Sequence, residues 1–129
     1  MKSVLDAVSA FMDATQDARP AQPELPPPPT RDLRKRLLQE EFDEYLEGEE
    51  NDDIVEISDA LADMIYIIAG TALKYGIPLD EVFAEVQRSN MEKFPNGRAV
   101  IRPDGKILKP EGWKPPDIRA VLETAGYRG

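Results

Sequence analysis

Two acid-rich runs, EEFDE at Glu40–Glu44 and EISDALAD at Glu56–Asp63, fall in what the apolar spacing predicts to be consecutive helices. Carboxylates at i and i+3 or i+4 on a helix offer oxygens to one ion from adjacent turns, and Mg²⁺ and Mn²⁺ prefer such hard ligands. Glu40 with Glu44, and Asp59 with Glu56 or Asp63, supply that spacing twice. Antiparallel packing of the two helices would bring six carboxylates to one place. Ions held there serve best to neutralise phosphate oxygens and to generate a hydroxide nucleophile. Glu41 is then left to orient or deprotonate the attacking water.

The competing reading is a solvent-facing acidic stripe, common on surface helices. Asp63 argues against it. It enters ALADMIYIIAG, a segment apolar all round from Met64 to Ala69, where an unpaired carboxylate would cost several kcal/mol or protonate. A calcium loop is a weaker competitor, because GEENDDIVE lacks the alternating donors and central glycine of an EF-hand.

The elements that must position these acids follow from spacing and punctuation. Val4, Val8, Phe11 and Met12 predict a short amphipathic helix over 3–15, with Ser3 as N-cap. Residues 16–29 carry six of the twelve prolines and read as an extended segment, an ordered strap or a flexible linker. Thr30 is a plausible N-cap for a helix running to Gly48, with Asp32 in its first turn. Asp52 or Asp53 caps the next, from about Ile54 to Tyr75, stopped by Gly76 and Pro78. A further helix is expected over 79–93. A β-hairpin is expected over 98–109, turning at Arg102-Pro103-Asp104-Gly105, and a last helix is capped by Asp117 and stopped at Gly126.

Composition narrows the partners. The 129 residues hold 25 acidic and 16 basic side chains, a formal charge of −9, which argues against a nucleic-acid or anionic-membrane binder. With neither cysteine nor histidine, thiol nucleophiles, zinc–thiolate sites and Ser-His-Asp triads are excluded, so hydrolysis must run on carboxylates, lysines or metal-bound water. No signal-peptide layout or membrane-length apolar run is present, and a cytoplasmic protein is expected.

EEFDE followed by a second acidic helix with Asp63 before MIYII resembles the E-E-x-x-E and E-x-x-D signature of the all-α nucleoside triphosphate pyrophosphohydrolases. That group includes the MazG-like, dimeric-dUTPase-like and phosphoribosyl-ATP pyrophosphohydrolase families. GTALKYGIPLDEVFAEVQRSNMEKF, the DGKILK turn and the PPD segment are similar to the MazG-like branch, and the likeness covers about residues 5–118. The resemblance implies one all-α domain over 1–129, a bundle of four to five helices completed by homodimerisation, with a short C-terminal β-hairpin. It also implies Mg²⁺-dependent cleavage, with Mn²⁺ as substitute, of a nucleoside triphosphate to the monophosphate and pyrophosphate.

Glu40, Glu41 and Glu44 match the first motif and Asp63 the second, but Ala60 stands where the family has an acid, leaving Glu56 or Asp59 to join Asp63. Asn90 and Lys93 match positions that face the phosphates in such proteins, and a lysine suits a polyanionic substrate. Equally, Lys93 reads as a surface lysine favoured by a helix end. Gln16, Phe11 and Trp113 offer base or sugar contacts, while the two aromatics also read as core anchors. The expected activity is house-cleaning of dUTP or another non-standard dNTP. Its rivals are phosphoribosyl-ATP hydrolysis and a non-catalytic helical module whose acids bind a basic partner.

Overall fold

A computed structural model describes residues 2–94 and 96–129. Among the described residues five helices follow one another: α1 (Lys2–Ala14), α2 (Pro28–Glu50), α3 (Ile54–Lys74), α4 (Leu79–Met91) and α5 (Ile118–Thr124). Among the described residues there is no strand, so the protein is all-α. Among the described residues no helix is long and apolar enough to cross a membrane.

The centre of the fold is the pairing of α2 with α3. Three residues join them, so the helices run antiparallel: Gly48 near the turn meets Ile57, and Arg34 far from it meets Ile67 and Thr71. Asp53 caps α3, its Oδ1 accepting from the amides of Val55 (3.1 Å) and Glu56 (3.2 Å), which satisfies two donors the first turn leaves over.

Both ends of α2 depart from the sequence expectation. It begins at Pro28, with Pro27 rather than Thr30 at the cap, because first-turn residues need no amide donor and the proline φ suits a helix. It also runs through Gly48 instead of ending there. That glycine is buried, and a Cβ on it would stand 3.0 Å from both Ile57 Cγ1 and the Ile57 amide, so its role is close helix approach. The helix over 79–93 likewise ends two residues early, at Met91.

α1 lies across α3. Val8, Met12 and Ala69 form a buried cluster, with Val4, Leu5 and Leu73 packed around it. The proline-rich segment is an ordered strap. The Glu24 amide donates to the Tyr75 carbonyl (2.9 Å), Pro23 is buried, and Lys74 Nζ donates to Asp17 Oδ1 (3.0 Å). The strap also explains Gly76, which terminates α3 at φ +66°: a Cβ there would come within 2.3 Å of the Gln22 carbonyl oxygen.

The expected C-terminal hairpin is corrected to a turn. Gly105 N donates to Arg102 O (2.8 Å), Arg102 N to Lys106 O (2.8 Å) and Leu108 N to Val100 O (2.7 Å), but only the isolated antiparallel bridge Ile101–Ile107 results. Val100 and Ile101 stay exposed, and two short segments with no packed face do not sustain a ladder.

One side of the α2–α3 pair is acidic and the other apolar. At about 100° per residue, Phe42 and Leu46 lie roughly 160° from Glu44, and Leu61, Ile65 and Ile68 lie within about 40° of the point opposite Asp63. These five side chains are each 43–47% exposed.

Candidate metal and active site

Arg34, Glu41 and Gly48 follow one another at seven-residue intervals on α2, so they share the face that meets α3. The outer two set the register. Gly48 allows contact at one end. At the other, Arg34 donates from Nε to Thr71 Oγ1 and from Nη2 to the Ile67 carbonyl (both 3.0 Å), over Gly70, where a Cβ would lie 2.6 Å from Nη2. Glu41, midway between, is thereby held in the seam.

In that seam three acids converge. One oxygen from each of Glu41, Glu44 and Asp63 lies within 4.8 Å of the other two. Glu41 and Asp63 are half-buried and Glu44 is exposed. Glu41 Oε2 is buried with no hydrogen-bond partner. Burial first, then the neighbouring Glu44 and Asp63 carboxylates, push the Glu41 carboxyl up to about 7. A desolvated oxygen among like charges is costly unless a proton or a cation compensates it. Three hard oxygen donors with one orphaned lone pair fit a divalent ion, with Glu44 and Asp63 placed to hold it and Glu41 beside it.

The other expected acids stand apart. Glu40 lies about 100° around α2 from Glu41 and is exposed, as is Asp59 on α3. Neither belongs to the converging group. Glu56, half-buried in the first turn of α3, is raised above its ordinary range by burial and then by Glu47, Asp53 and Glu44, so it borders the group from the turn side. Ala60 is fully buried, and a carboxylate in its place would be desolvated between the helices.

The expected substrate contacts are dispersed over the chain. Asn90 is exposed near the end of α4, and Lys93 Nζ lies 5.3 Å from the centre of the Trp113 ring. α4 packs on α5 and on α1. Gln16 is exposed just past α1 at φ +59°. Phe11 is not core: it is 55% exposed and meets Tyr66 edge-on at 5.6 Å. Trp113 is half-buried, its indole N–H donating to the Ser89 carbonyl (2.6 Å).

Sequence reasoning missed Arg34 and Tyr66. Arg34 carried a signal in the heptad interval to Glu41, opposite the small Gly70. Tyr66 follows Asp63 by one turn and stood in plain view in MIYII.

Comparison with known proteins agrees with this geometry. The profile of the phosphoribosyl-ATP pyrophosphohydrolase family matches residues 8–90, a span that includes α2, α3 and all three converging acids. No curated protein matches the chain. The matched family depends on divalent metal, in keeping with the acidic cluster. A pinned helix pair presenting three carboxylates, with the family profile laid across it, leads to one conclusion: the chain belongs to the phosphoribosyl-ATP pyrophosphohydrolase family, within the MazG-like all-α nucleoside triphosphate pyrophosphohydrolases, and is an enzyme acting on phosphoric anhydrides of a nucleotide-like substrate.

Proposed function

We propose that the chain hydrolyses a nucleoside triphosphate, dUTP or another non-standard dNTP, to the monophosphate and pyrophosphate with Mg²⁺. The observation that carries this is the convergence of Glu41, Glu44 and Asp63 around a buried oxygen with no partner. Glu44 and Asp63 hold the ion and Glu56 adds a ligand from the turn side. A divalent cation there neutralises phosphate charge and acidifies water.

Glu41 does the proton work. Its oxygen, buried beside the ion-holding Glu44 and Asp63, is placed to accept a proton from the attacking water. As the water oxygen bonds to the α-phosphorus, the bond to the bridging oxygen breaks and pyrophosphate leaves. The proton passes to Glu41. Glu40 and Asp59, exposed beside the seam, contribute through the outer hydration of the ions. Lys93 screens the phosphates, Asn90 donates to them, and Gln16 with the Phe11–Tyr66 pair receives the base.

A second copy of the chain completes the enzyme. The exposed apolar side formed by Phe42, Leu46, Leu61, Ile65 and Ile68 is the self-complementary surface a homodimer needs, or one interface of a higher homo-oligomer. Phosphoribosyl-ATP is the second substrate reading, favoured by the description of the matched family. An enzyme of this family leaves no place for the non-catalytic module.

The test is pyrophosphate release from a panel of dNTPs, dUTP and phosphoribosyl-ATP with Mg²⁺. One member of the panel is expected to be cleaved by the wild type and not by Glu41→Gln. No release from any of them would sink the proposal, as would an unimpaired Glu41→Gln.

A further inference from the structure

Positions 31, 35, 38, 42, 45 and 49 of α2 recur at alternating intervals of four and three residues, the spacing of a helix-pairing seam. At about 100° per residue they fall within roughly 80° of arc, a stripe distinct from the one that carries Glu44. Its residues are Arg31, Lys35, Leu38, Phe42, Tyr45 and Glu49, with Leu46 at the edge. Cations stand at one end, apolar and aromatic side chains in the middle, and an acid at the other end. Lys35, Phe42, Leu46 and Glu49 are exposed, while Arg31, Leu38 and Tyr45 are half-buried.

The charged ends of the stripe are unsatisfied within the chain. Among the described residues Arg31 has no acid partner, and Glu49 has no cation: its Oε2 accepts only from the Tyr45 hydroxyl (2.7 Å). Lys35 reaches Asp32 at 3.4 Å, an exposed contact that holds it weakly. Arg31, Lys35 and Arg34 line a groove of about 280 Å³ together with Leu38, Ile68 and Tyr75. A groove lined by cations and apolar groups fits a carboxylate carried beside an aromatic ring. Glu49 and Tyr45 present that pair at the far end of the same stripe.

We propose that α2 pairs with the α2 of a second copy, antiparallel about a two-fold axis level with position 40, so that the groove at Arg31 and Lys35 receives the partner's Glu49. The stripe is its own complement in this register. Arg31 meets the partner's Glu49, Lys35 the partner's Tyr45 and Leu38 the partner's Phe42, and each contact recurs with the copies exchanged. A parallel pair would instead set Arg31 against the partner's Arg31 and Glu49 against the partner's Glu49, which like charges oppose. The proposal rests on the homodimer reading of the apolar side and adds its register and its charge pairs. It is independent of the substrate.

Charge reversal tests the register. Arg31→Glu and Glu49→Arg each set like charges at both ends of the pair. Both reversals suit the dipole of α2, an acid near its start and a base near its end, so neither should cost the fold. Sedimentation equilibrium of the full-length protein is expected to show a wild-type dimer and, in each single variant, a dissociation constant raised at least about tenfold. An equimolar mixture of the two single variants is expected to associate like the wild type, because each copy supplies the charge that the other needs. The double variant, Arg31→Glu with Glu49→Arg, is expected to pair with itself again. Single variants that associate as tightly as the wild type, or a mixture no tighter than they are, would overturn the register and leave the homodimer standing. A wild type that is monomeric at every concentration overturns both. Because the readout is association and not pyrophosphate release, a failure of the catalytic reading leaves the result untouched.

Discussion

The two charged regions of this molecule are built by different forces. The carboxylates of the α2–α3 seam are placed by steric closeness: Gly48 against Ile57 at one end, Gly70 beneath Arg34 at the other, and Glu41 between. The lysines of the C-terminal segment are placed by polar contacts alone, namely the Trp113–Ser89 bond, the Asp117–Glu85 bond and the ring's attraction for ammonium. In the half-buried seam the like charges are held together by tight packing of the two helices. Partly exposed lysines need only orientation. The seam should therefore answer to changes of volume and to pH near neutrality, and the C-terminal segment to changes of polarity and to acid.

The sharpest way to divide the two regions is Glu41→Gln. Removing the group that takes the proton is expected to lower kcat by roughly 100- to 10,000-fold, with the melting temperature unchanged or raised, because the variant also removes like-charge repulsion. Loss of fold alongside activity would mean that Glu41 belongs to the packing and that the seam is not a site held under electrostatic tension.

Gly48→Leu comes next. Its side chain meets the Ile57 backbone, which cannot swing aside, so a loss of about 1–3 kcal/mol by denaturant midpoint is expected. Gly70→Ala should cost less, because the atom it meets is the far end of the Arg34 side chain and helix propensity regains up to about 1 kcal/mol. Equal tolerance of both changes would remove steric closeness as the organising force.

Metal separates the regions by pH. Without metal, Glu41 holds its proton to about 7 when folded but only to about 4.5 when unfolded. Its contribution to stability is therefore greatest at low pH and falls as pH rises from about 4.5 through 7. A divalent ion must displace that proton, so the melting shift with Mg²⁺ or Mn²⁺ should be larger at pH 8 than at pH 6. Ligand at 100 times its Kd is worth about 2.7 kcal/mol. A shift that does not grow with pH would place the ion away from Glu41.

The smallest effect belongs to the C-terminal segment. Arg88, then the Asp117 amide, holds the Glu85 carboxyl at about 2, so this contribution is present above about 4.5 and lost as pH falls towards 2. Glu85→Gln should blunt the acid sensitivity of Trp113 emission between those values and leave the seam untouched. Emission that responds to acid equally in both proteins would show that the segment is held by something else.

Much of the seam was legible because chemistry and periodicity coincide there. EEFDE, the cap at Asp53 and the intrusion of Asp63 into an apolar helix are local facts. Spacing along each helix alone allows a convergence of six acids. A wheel of one helix gives angles but not the direction of its neighbour, and that direction is set by Gly48, Gly70 and Arg34, whose roles exist only between helices. It brings Glu41, Glu44 and Asp63 together and turns Glu40 and Asp59 outward. Glycine usually ends helices, which makes Gly48 a stop by sequence alone, whereas in the fold its missing side chain makes room for Ile57. The placing of the lysines was half legible, since Lys93 sits in a recognisable motif while Lys109 reaches the same ring only through the fold.

The central claim is that Glu41, Glu44 and Asp63 form one metal centre. Crystals of the protein grown with Mn²⁺ test it most directly through anomalous difference density. The expected result is a peak between Glu44 and Asp63 and beside Glu41 that disappears in Asp63→Asn. A peak only at Glu40, Asp59 or the exposed turn acids, or none in the seam at millimolar Mn²⁺, would contradict it.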